Sequence, residues 1–224
     1  MKLLAIETSS EACSVALEAG GRVVERFEVA ARGHAERLLP WVQALLDGAG
    51  QTLAGLDAIA FGRGPGSFTS LRIGIAAVQG LAWGANVGVV PVSSLLATAL
   101  AAGPDGPGRR LVALDARMGE VWTAVVEVAP GGAARVVGDE RVAPPGAVAA
   151  PGGEWMAVGN AFSRCAPLRA LAAGASVVRA DTWPTASAVL EAAKAWLAEN
   201  APLPAAGAQP VYLRDRVARK PGEA

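Results

Sequence analysis

The order of the predicted elements constrains the fold of this chain more than any other feature of its sequence. Apolar runs bounded by turn residues predict strands, and longer apolar runs with helical spacing predict helices. The first part of the chain then contains strands at 2–8, 13–18 and 22–30, a helix at 34–50, a strand at 57–62, a helix at 70–85, a strand at 87–92 and a helix at 93–102. This β-β-β-α-β-α-β-α order predicts an α/β protein.

The same pattern restarts after a linker predicted at residues 103–108, Gly-Pro-Asp-Gly-Pro-Gly. Residues 3–21 can be aligned with residues 111–132. Each segment begins with an apolar strand that ends in a carboxylate, Glu7 or Asp115, and continues through a turn and a second strand to a Gly-Gly hairpin. The later strands and helix are predicted at 134–143, 155–161 and 183–200. We favour a duplicated β-β-β-α-β-α unit over chance similarity between buried strands. The predicted lobes are residues 1–103 and 104–224.

Composition excludes several classes of protein. The 20 basic and 20 acidic residues cancel, so the chain has no net field that would attract nucleic acid by itself. Two cysteines, Cys13 and Cys165, are too few for a disulfide framework and predict small buried side chains in a reduced protein. No apolar run has the length of a membrane span, and the N-terminal residues lack the core of a signal peptide. We therefore expect a cytoplasmic protein without membrane contact.

A glycine-rich loop at residues 62–67 precedes the helix predicted at 70–85. Glycines before a helix can cradle an anion, because the first helical turn offers unpaired N–H groups. This loop lacks the lysine of a Walker A motif, the third glycine of a dinucleotide fingerprint and the GxSxG context of a nucleophile elbow. A structural turn is therefore favoured, and anion or nucleotide contact remains the other interpretation. The candidate residues for that contact are Glu7, Gly64, Gly66, Ser67 and Asp115.

The two strand-end carboxylates are the nearest approach to a catalytic pattern. In a duplicated fold Glu7 and Asp115 would face each other across a cleft, where a magnesium–nucleotide could bind. Acidic residues at strand ends are common, however, and neither is followed directly by a glycine-rich turn. The single histidine, His34, excludes paired-histidine metal motifs. We predict no catalytic residues and no metal site.

Two helices carry more apolar surface than one core contact needs. The helix at 34–50 is apolar over a wide arc, and the helix at 70–85 has a second stripe of mostly small residues, which would let another helix approach closely. We predict that both helices are part core and part subunit interface, and that without a partner the chain forms a homodimer through them. The interface candidates are His34, Leu38, Trp41, Val42, Leu45, Ile73, Ala77, Gly80 and Gly84.

Four segments in order identify a family. "LAIETSSEACSVAL", "GRGPGSFTSLRIGIAAVQGLAWG", "LDARMGEVW" and "PVYLRDRVA" together resemble the TsaB (YeaZ) family of bacterial tRNA threonylcarbamoyladenosine biosynthesis proteins. The resemblance covers nearly the whole chain, and the ordered set is far more specific than any one segment. It implies the actin-like/Hsp70-like nucleotidase fold with two RNase H-like lobes.

The resemblance also implies a function and its partners. TsaB-like proteins are non-catalytic and pair with TsaD, which holds the metal and transfers a threonylcarbamoyl group to N6 of the adenosine 3′ of the anticodon in tRNAs that read codons starting with A. TsaE supplies the ATPase activity. ATP and metal are thus implied for the partners, and tRNA contact only through the complex. The alternative function is a stand-alone ATP-dependent phosphotransferase or nucleotidase of the same superfamily.

Overall fold

The first lobe is built on a five-stranded mixed sheet. The computed structural model describes residues 1–30, 32–103 and 108–214. The strands are β1 (Leu3–Glu7), β2 (Ala12–Ala19), β3 (Arg22–Val29), β4 (Ala58–Gly62) and β5 (Val89–Val92). They lie in the order β3-β2-β1-β4-β5, in which β1 to β3 are antiparallel neighbours while β4 and β5 run parallel to β1. The helices of this half are α1 (His34–Gly48), α2 (Phe68–Ala85) and α3 (Ser94–Ala101).

The second sheet repeats the topology of the first. Its strands are β6 (Gly108–Asp115), β7 (Val121–Val128), β8 (Ala134–Ala143), β9 (Trp155–Val158) and β10 (Val177–Arg179), in the order β10-β9-β6-β7-β8. Each strand has a counterpart with the same neighbours and direction in the first sheet. The predicted α/β fold with duplicated sheets is therefore confirmed. The helices of this half are α4 (Ala161–Arg164), α5 (Ala166–Leu171) and α6 (Ala186–Leu197).

The second half departs from the predicted unit in one respect. No α-helix corresponding to α1 lies between β8 and β9, and residues 144–154 hold only one short 3-10 turn, Pro145–Ala147. That segment contains three prolines and three glycines, which either remove backbone donors or favour non-helical conformations. The β-β-β-α-β-α order is complete only in the first half.

Two helices are exchanged between the halves. Helix α3 follows the first sheet, yet its Leu95 and Ala99 pack against Val112, Leu114 and other residues of the second sheet. Helix α6 follows the second sheet but packs on the first, where Val189 contacts a surface that includes Ala5 and Ala60. The two helices also contact each other. The helix predicted at 183–200 is thus present, and it packs on the alanine-rich face of the first sheet.

Helices α1 and α2 cover the other face of the first sheet. Leu38, Val42 and Leu45 of α1 and Ile75 and Val78 of α2 are buried against β1, β2 and β4. Burial of aliphatic side chains of this size contributes about 1.5–3 kcal/mol each. This core holds both helices in fixed positions, so that their outer surfaces are presented as one side of the lobe.

Candidate functional site

The glycine loop after β4 is shaped by its contacts with the turn between β1 and β2. A Cβ atom on Gly62 would collide with the carboxylate of Glu7, and one on Gly66 would collide with the backbone of Ser9. The Ser67 N–H donates to the Ser9 carbonyl at 2.7 Å, and Gly64 has a φ of 94°. These contacts require glycine for close approach and for left-handed backbone. They account for the loop as a structural turn.

The arginine of this loop links the two lobes. Arg63 Nη2 donates to Glu140 Oε2 of β8 at 2.8 Å, and the hydroxyl of Ser93 donates to Glu140 Oε1. Glu140 is largely buried, with 10% of its side chain exposed. The Arg63 guanidinium of the first lobe therefore forms an ion pair with a carboxylate of the second sheet.

Glu7 lies beneath the glycine loop and not in a cleft. Its side chain is fully buried; Oε1 accepts the Ser9 N–H at 2.6 Å and Oε2 accepts the Ser94 hydroxyl at 2.9 Å. Burial raises the pKa of this carboxyl above its usual value, although the hydrogen bonds from Ser9 and Ser94 oppose the shift. The duplication had suggested that Glu7 faces Asp115 across a cleft. In the structure Glu7 is buried and does not line the cleft that Asp115 lines.

A cleft of about 320 Å³ lies between the two halves at the start of α2. Of the five residues predicted for anion contact, Gly66, Ser67 and Asp115 line it, whereas Glu7 and Gly64 do not. Its further lining includes Glu11, Arg117, Arg164 and residues 211–214 of the C-terminal segment. The cleft thus contains one of the two predicted carboxylates.

The charged groups of the cleft pair with one another. Arg164 contacts Glu11 Oε2 at 2.8 Å and Asp115 Oδ2 at 3.2 Å, and Arg117 contacts the same two carboxylates. Asp115 Oδ1 also accepts the backbone N–H of Arg117 at 2.9 Å, and the Asp115 N–H donates to the side chain of Asn160. Two acidic and two basic groups form a closed network that joins the lobes, since Glu11 lies on the β1–β2 turn and both arginines lie in the second half.

The C-terminal segment closes one side of the cleft. The rings of Tyr212 and Phe68 have centroids 5.4 Å apart, and the Arg72 guanidinium lies over the Phe68 ring at 3.7 Å. Arg214 then binds Glu120 and donates to the carbonyl of Ala116, at the β6–β7 turn. The segment therefore runs from the first lobe to the second. Residues 215–218 of the "PVYLRDRVA" motif, and the linker residues 104–107, lie outside the described residues.

The residues present do not fit a magnesium–nucleotide. The Glu7 oxygens are used inside the protein, and Asp115 and Glu11 are held by two guanidinium groups. No cluster of three or more histidine, cysteine or acidic side chains that could hold a metal ion occurs in the described ranges. Carboxylates already paired to arginine are poor ligands for Mg²⁺, which needs free oxygen atoms in near-octahedral positions.

Most of the interface candidates on α1 are core residues. Leu38, Val42 and Leu45 are between 1% and 6% exposed, and Trp41 is half-buried against the same core. His34 is 5% exposed; its Nε2 lies 3.1 Å and 3.2 Å from the carbonyl oxygens of Ser10 and Ala12, so this nitrogen carries the proton. The wide apolar arc of α1 is explained by its own lobe. The large apolar residue that α1 exposes is Leu39, at 51%.

The interface candidates on α2 are less buried than those on α1. Ile73 and Ala77 are half-buried and pack against the core, but Gly80 and Gly84 are exposed, and a Cβ atom on either would meet nothing within 4 Å. Trp83 lies beside them with 78% of its surface exposed. We call Gly80, Trp83 and Gly84 the outer α2 face. Of the predicted stripe, Gly80 and Gly84 therefore point away from their own sheet, whereas Ile73 and Ala77 do not.

Sequence reasoning missed Glu11, Arg117, Arg164 and Tyr212 in the cleft. Glu11 and Arg117 lie in the two turns that follow the aligned strands, so the duplication points to the turns that hold them. Tyr212 lies in one of the segments that identify the family. No local sequence pattern indicated that Arg164 lies in the cleft, because its position depends on how α4 packs on the second sheet.

The two repeated sheets and their helices define a two-lobed α/β protein with the actin-like, RNase H-like nucleotidase fold. The model of the family described as TsaD, tRNA N6-adenosine threonylcarbamoyltransferase, matches residues 18–220. The tRNA threonylcarbamoyladenosine biosynthesis protein TsaB of Escherichia coli strain K12 is 40% identical over 228 residues, which cover 98% of this chain and 97% of that relative. TsaB of Haemophilus influenzae is 48% identical over 123 residues, covering 54% of this chain and 52% of that relative.

A solved structure agrees with these relatives. YeaZ from Pseudomonas aeruginosa is 41% identical and superposes with a TM-score of 0.87, covering 95% of this chain and 99% of that one. The chain belongs to the TsaB family, as its four ordered segments had indicated. Among the described helices, none is long and apolar enough to cross a membrane.

Proposed function

We propose that this chain is a non-catalytic subunit of the machinery that makes threonylcarbamoyladenosine in tRNA, and that it acts in the cytoplasm. It pairs with TsaD and works with TsaE, and the group is transferred to N6 of the adenosine 3′ of the anticodon in tRNAs reading codons that start with A. It has no cofactor of its own; ATP and metal belong to the partners. Contact with tRNA occurs only through the complex.

The observation that carries this proposal is the full-length relation to a protein named for threonylcarbamoyladenosine biosynthesis. The alignment with the Escherichia coli protein covers 98% of this chain and 97% of that relative. A match of this extent includes both lobes and the C-terminal segment, so it does not reflect a shared sheet alone. The biosynthetic role named for the relative is therefore extended to this chain.

The outer α2 face supports a protein partner on the first lobe. Gly80 and Gly84 leave the helix backbone uncovered, and Trp83 stands exposed beside them. Glycine in a helix interior costs about 1 kcal/mol relative to alanine, and no contact within the lobe requires it at either position. Close approach of a partner helix would use both glycines, and a large aromatic ring is the residue type that dominates binding energy at interfaces.

The cleft supports a non-catalytic role. Every carboxylate that the sequence offered as a candidate is bound by the chain itself: Glu7 by Ser9 and Ser94, and Asp115 by Arg117 and Arg164. A general base or nucleophile needs a free lone pair aimed at substrate. We therefore assign the transfer chemistry to TsaD.

A reconstituted transfer assay tests the proposal. The purified chain, incubated with threonylcarbamoyl-adenylate and tRNA, should give no modified nucleoside, because it lacks an activated group. Addition of TsaD and TsaE should give product, and omission of this chain from that mixture should abolish sustained product formation. Product from the chain alone would contradict the non-catalytic assignment.

The alternative is a stand-alone ATP-dependent phosphotransferase or nucleotidase. It is favoured by one observation, that Gly66, Ser67 and Asp115 meet at the cleft where the N-terminus of α2 opens. Titration calorimetry with Mg-ATP separates the two functions. Stoichiometric tight binding with turnover supports the alternative, whereas no heat of binding together with retained capture of TsaD supports the subunit role.

A further inference from the structure

Unpaired polar atoms are concentrated in the cleft between the lobes. Within the described ranges, the buried side-chain atoms that lack a hydrogen-bond partner are Ser9 Oγ, Glu18 Oε2 and Arg214 Nε. Glu18 Oε2 lies 2.9 Å from Lys194 Nζ and is therefore held by an ion pair. The other two atoms belong to residues that line the cleft. Buried polar groups of folded proteins are nearly always paired, so two such atoms in one cleft indicate a ligand that pairs with them.

The Ser9 hydroxyl is the donor on the side of the first lobe. Ser9 is 1% exposed, and both of its backbone groups are used: its N–H donates to Glu7 Oε1 at 2.6 Å, and its carbonyl accepts the Ser67 N–H at 2.7 Å. Its side chain lies against Gly66, where an added Cβ atom would stand 2.6 Å from the Ser9 Cβ. Both residues line the cleft, so the hydroxyl is available to a group that binds there.

Asn160, directly after β9, provides a donor from the second lobe. The residue is 4% exposed and lines the cleft, and its Oδ1 accepts the Asp115 N–H at 2.9 Å. Its amide NH₂ group donates to no residue in the part of the chain that the structure describes. Because the oxygen is fixed by a backbone donor, the amide nitrogen is the atom left for a ligand.

Helix α2 adds the backbone donors of its first turn. Ser67, the residue before the helix, makes no side-chain cap, and the N–H groups of Phe68 and Ser70 have no acceptor among the described residues. All three residues line the cleft. Unpaired N–H groups at the positive end of a helix dipole favour an anion. The helix end and the two buried donors thus call for the same kind of ligand, one rich in hydrogen-bond acceptors.

The charges of the cleft limit the charge of that ligand. The lining contains Arg117, Arg164 and Arg214 against Glu11 and Asp115, three basic and two acidic groups, for a net charge of +1. Each arginine is already paired with a carboxylate of the chain. A single negative charge is matched by this excess. The several charges of a phosphate chain would instead be repelled by the two carboxylates.

Aromatic side chains form much of the remaining wall. Trp122, Trp183, Tyr212 and Phe68 all line the cleft. Aromatic walls favour a flat, largely apolar body. The volume of about 320 Å³ is at the lower end of the range for small-molecule sites, so it suits a small ring compound.

We infer that the cleft binds a small aromatic monocarboxylate. The carboxylate accepts from the Ser9 hydroxyl and the first turn of α2, and the ring lies between the aromatic walls. The Asn160 amide and Arg214 Nε donate to further oxygen atoms of the ligand. This site goes beyond the proposed subunit role and does not depend on it, because binding needs neither TsaD nor tRNA. It also differs from the nucleotide alternative, which needs Mg²⁺ and a phosphate chain.

Four probes separate the contributions of ring and charge. Benzoate has both, benzamide has the ring without the charge, acetate has the charge without the ring, and phenyl phosphate carries additional charge. Benzoate should shift the NMR signals of the Phe68 and Ser70 backbone amides and of the Asn160 side-chain amide, with a dissociation constant of about 1–10 mM. The other three should bind more weakly. Absence of shifts with benzoate, shifts confined to residues outside the cleft, or equal affinity for benzamide would overturn the inference. Tighter binding of phenyl phosphate would overturn the choice of a carboxylate.

Two variants test the buried donors. Ser9→Ala removes the hydroxyl and should raise the dissociation constant of benzoate about tenfold. Asn160→Asp keeps the oxygen that accepts the Asp115 N–H and replaces the free NH₂ group by a charged oxygen, so it should weaken benzoate at least as much. Ser187→Ala, at the start of α6 and outside the cleft lining, is the matched control and should leave the affinity unchanged. Circular dichroism checks that each variant is folded. Affinities equal to that of the control in both variants would contradict the site.

Thermal unfolding distinguishes a binding role of Ser9 from a structural one. Its hydroxyl has no partner among the described residues, so Ser9→Ala should leave the Tm of the free chain unchanged. Benzoate at about ten times its dissociation constant should raise the Tm of the unchanged chain by about 3–6 °C and that of Ser9→Ala by less. A lower Tm for free Ser9→Ala, with the same rise on adding benzoate as in the unchanged chain, would show that the hydroxyl serves the fold and would refute its role in binding.

Discussion

Gly80→Leu is expected to make the isolated chain more stable and its complex with TsaD weaker. Gly80 lies in the interior of α2 with helical backbone, and apart from its chain neighbours and the adjacent backbone of the helix no heavy atom lies within 4 Å of the position of a Cβ atom. The substitution therefore restricts the unfolded chain and meets no clash. Replacing glycine by a good helix former at such a position contributes about 0.5–1 kcal/mol. For a chain of this size, that corresponds to a rise in Tm of about 2–4 °C.

The effect on binding has the opposite sign. If a partner helix approaches the uncovered backbone at Gly80, a leucine side chain holds the helices apart. Overpacking of this kind costs about 1–3 kcal/mol, which weakens the dissociation constant roughly 5- to 150-fold. Gly80→Ala adds only the Cβ atom, so it should give the gain in stability with a smaller loss of affinity.

Differential scanning calorimetry and titration with TsaD on the same preparations measure both quantities. Ala195→Leu is the matched control, because Ala195 is an exposed position of α6, on the opposite face of the first sheet. It should leave the affinity for TsaD unchanged. A lower Tm for Gly80→Leu would show that Gly80 packs against its own lobe. An affinity equal to that of the control would refute the docking of TsaD there.

The buried contact between the glycine loop and β1 gives the remaining predictions. Gly62→Ala places a Cβ atom against the Glu7 carboxylate and should lower the free energy of unfolding by about 2 kcal/mol or more. The control is Gly48→Ala, whose Cβ atom meets open space and should not lower the free energy of unfolding. Urea titration measures both variants. Because burial raises the pKa of Glu7 in the folded state, the folded chain binds this proton more tightly than the unfolded chain. Stability should therefore fall as pH rises from the unfolded pKa through the raised folded one. In Glu7→Gln this contribution to the pH dependence should disappear. Urea titrations at pH 5 and pH 8 measure the free energy of unfolding of both proteins, and an equal change between the two pH values in the variant and in the unchanged chain would contradict the role of Glu7.

Local pattern was enough to predict most of the secondary structure. The third strand of the second half is observed at Ala134–Ala143, as its sequence predicts, and helix α2 begins two residues before the predicted bound. Strand β10 and helices α4 and α5 were not predicted, because they are short and lack a full period of apolar residues. Turn residues and periodicity act over a few residues, so they can be read from a single sequence.

The repeated sheet and the family were also accessible without coordinates. Both depend on ordered similarity along the chain: two strands that end in Glu7 and Asp115, and four segments shared with one family. The four segments span the chain from its first strand to the residues after α6, and the relatives that match it almost end to end agree with them.

The placement of α6 and the roles of the candidate residues were decided by tertiary contacts. An apolar stripe such as Val189 and Ala193 shows that a helix is buried, but not on which of two similar sheets. The same holds for α1, whose wide arc predicted part core and part interface, and whose Val42 is buried in the core of its own lobe. An amphipathic pattern indicates how much apolar surface of a helix must be buried. It does not indicate against which surface, because packing against the same lobe and packing against a partner remove the same apolar area from water.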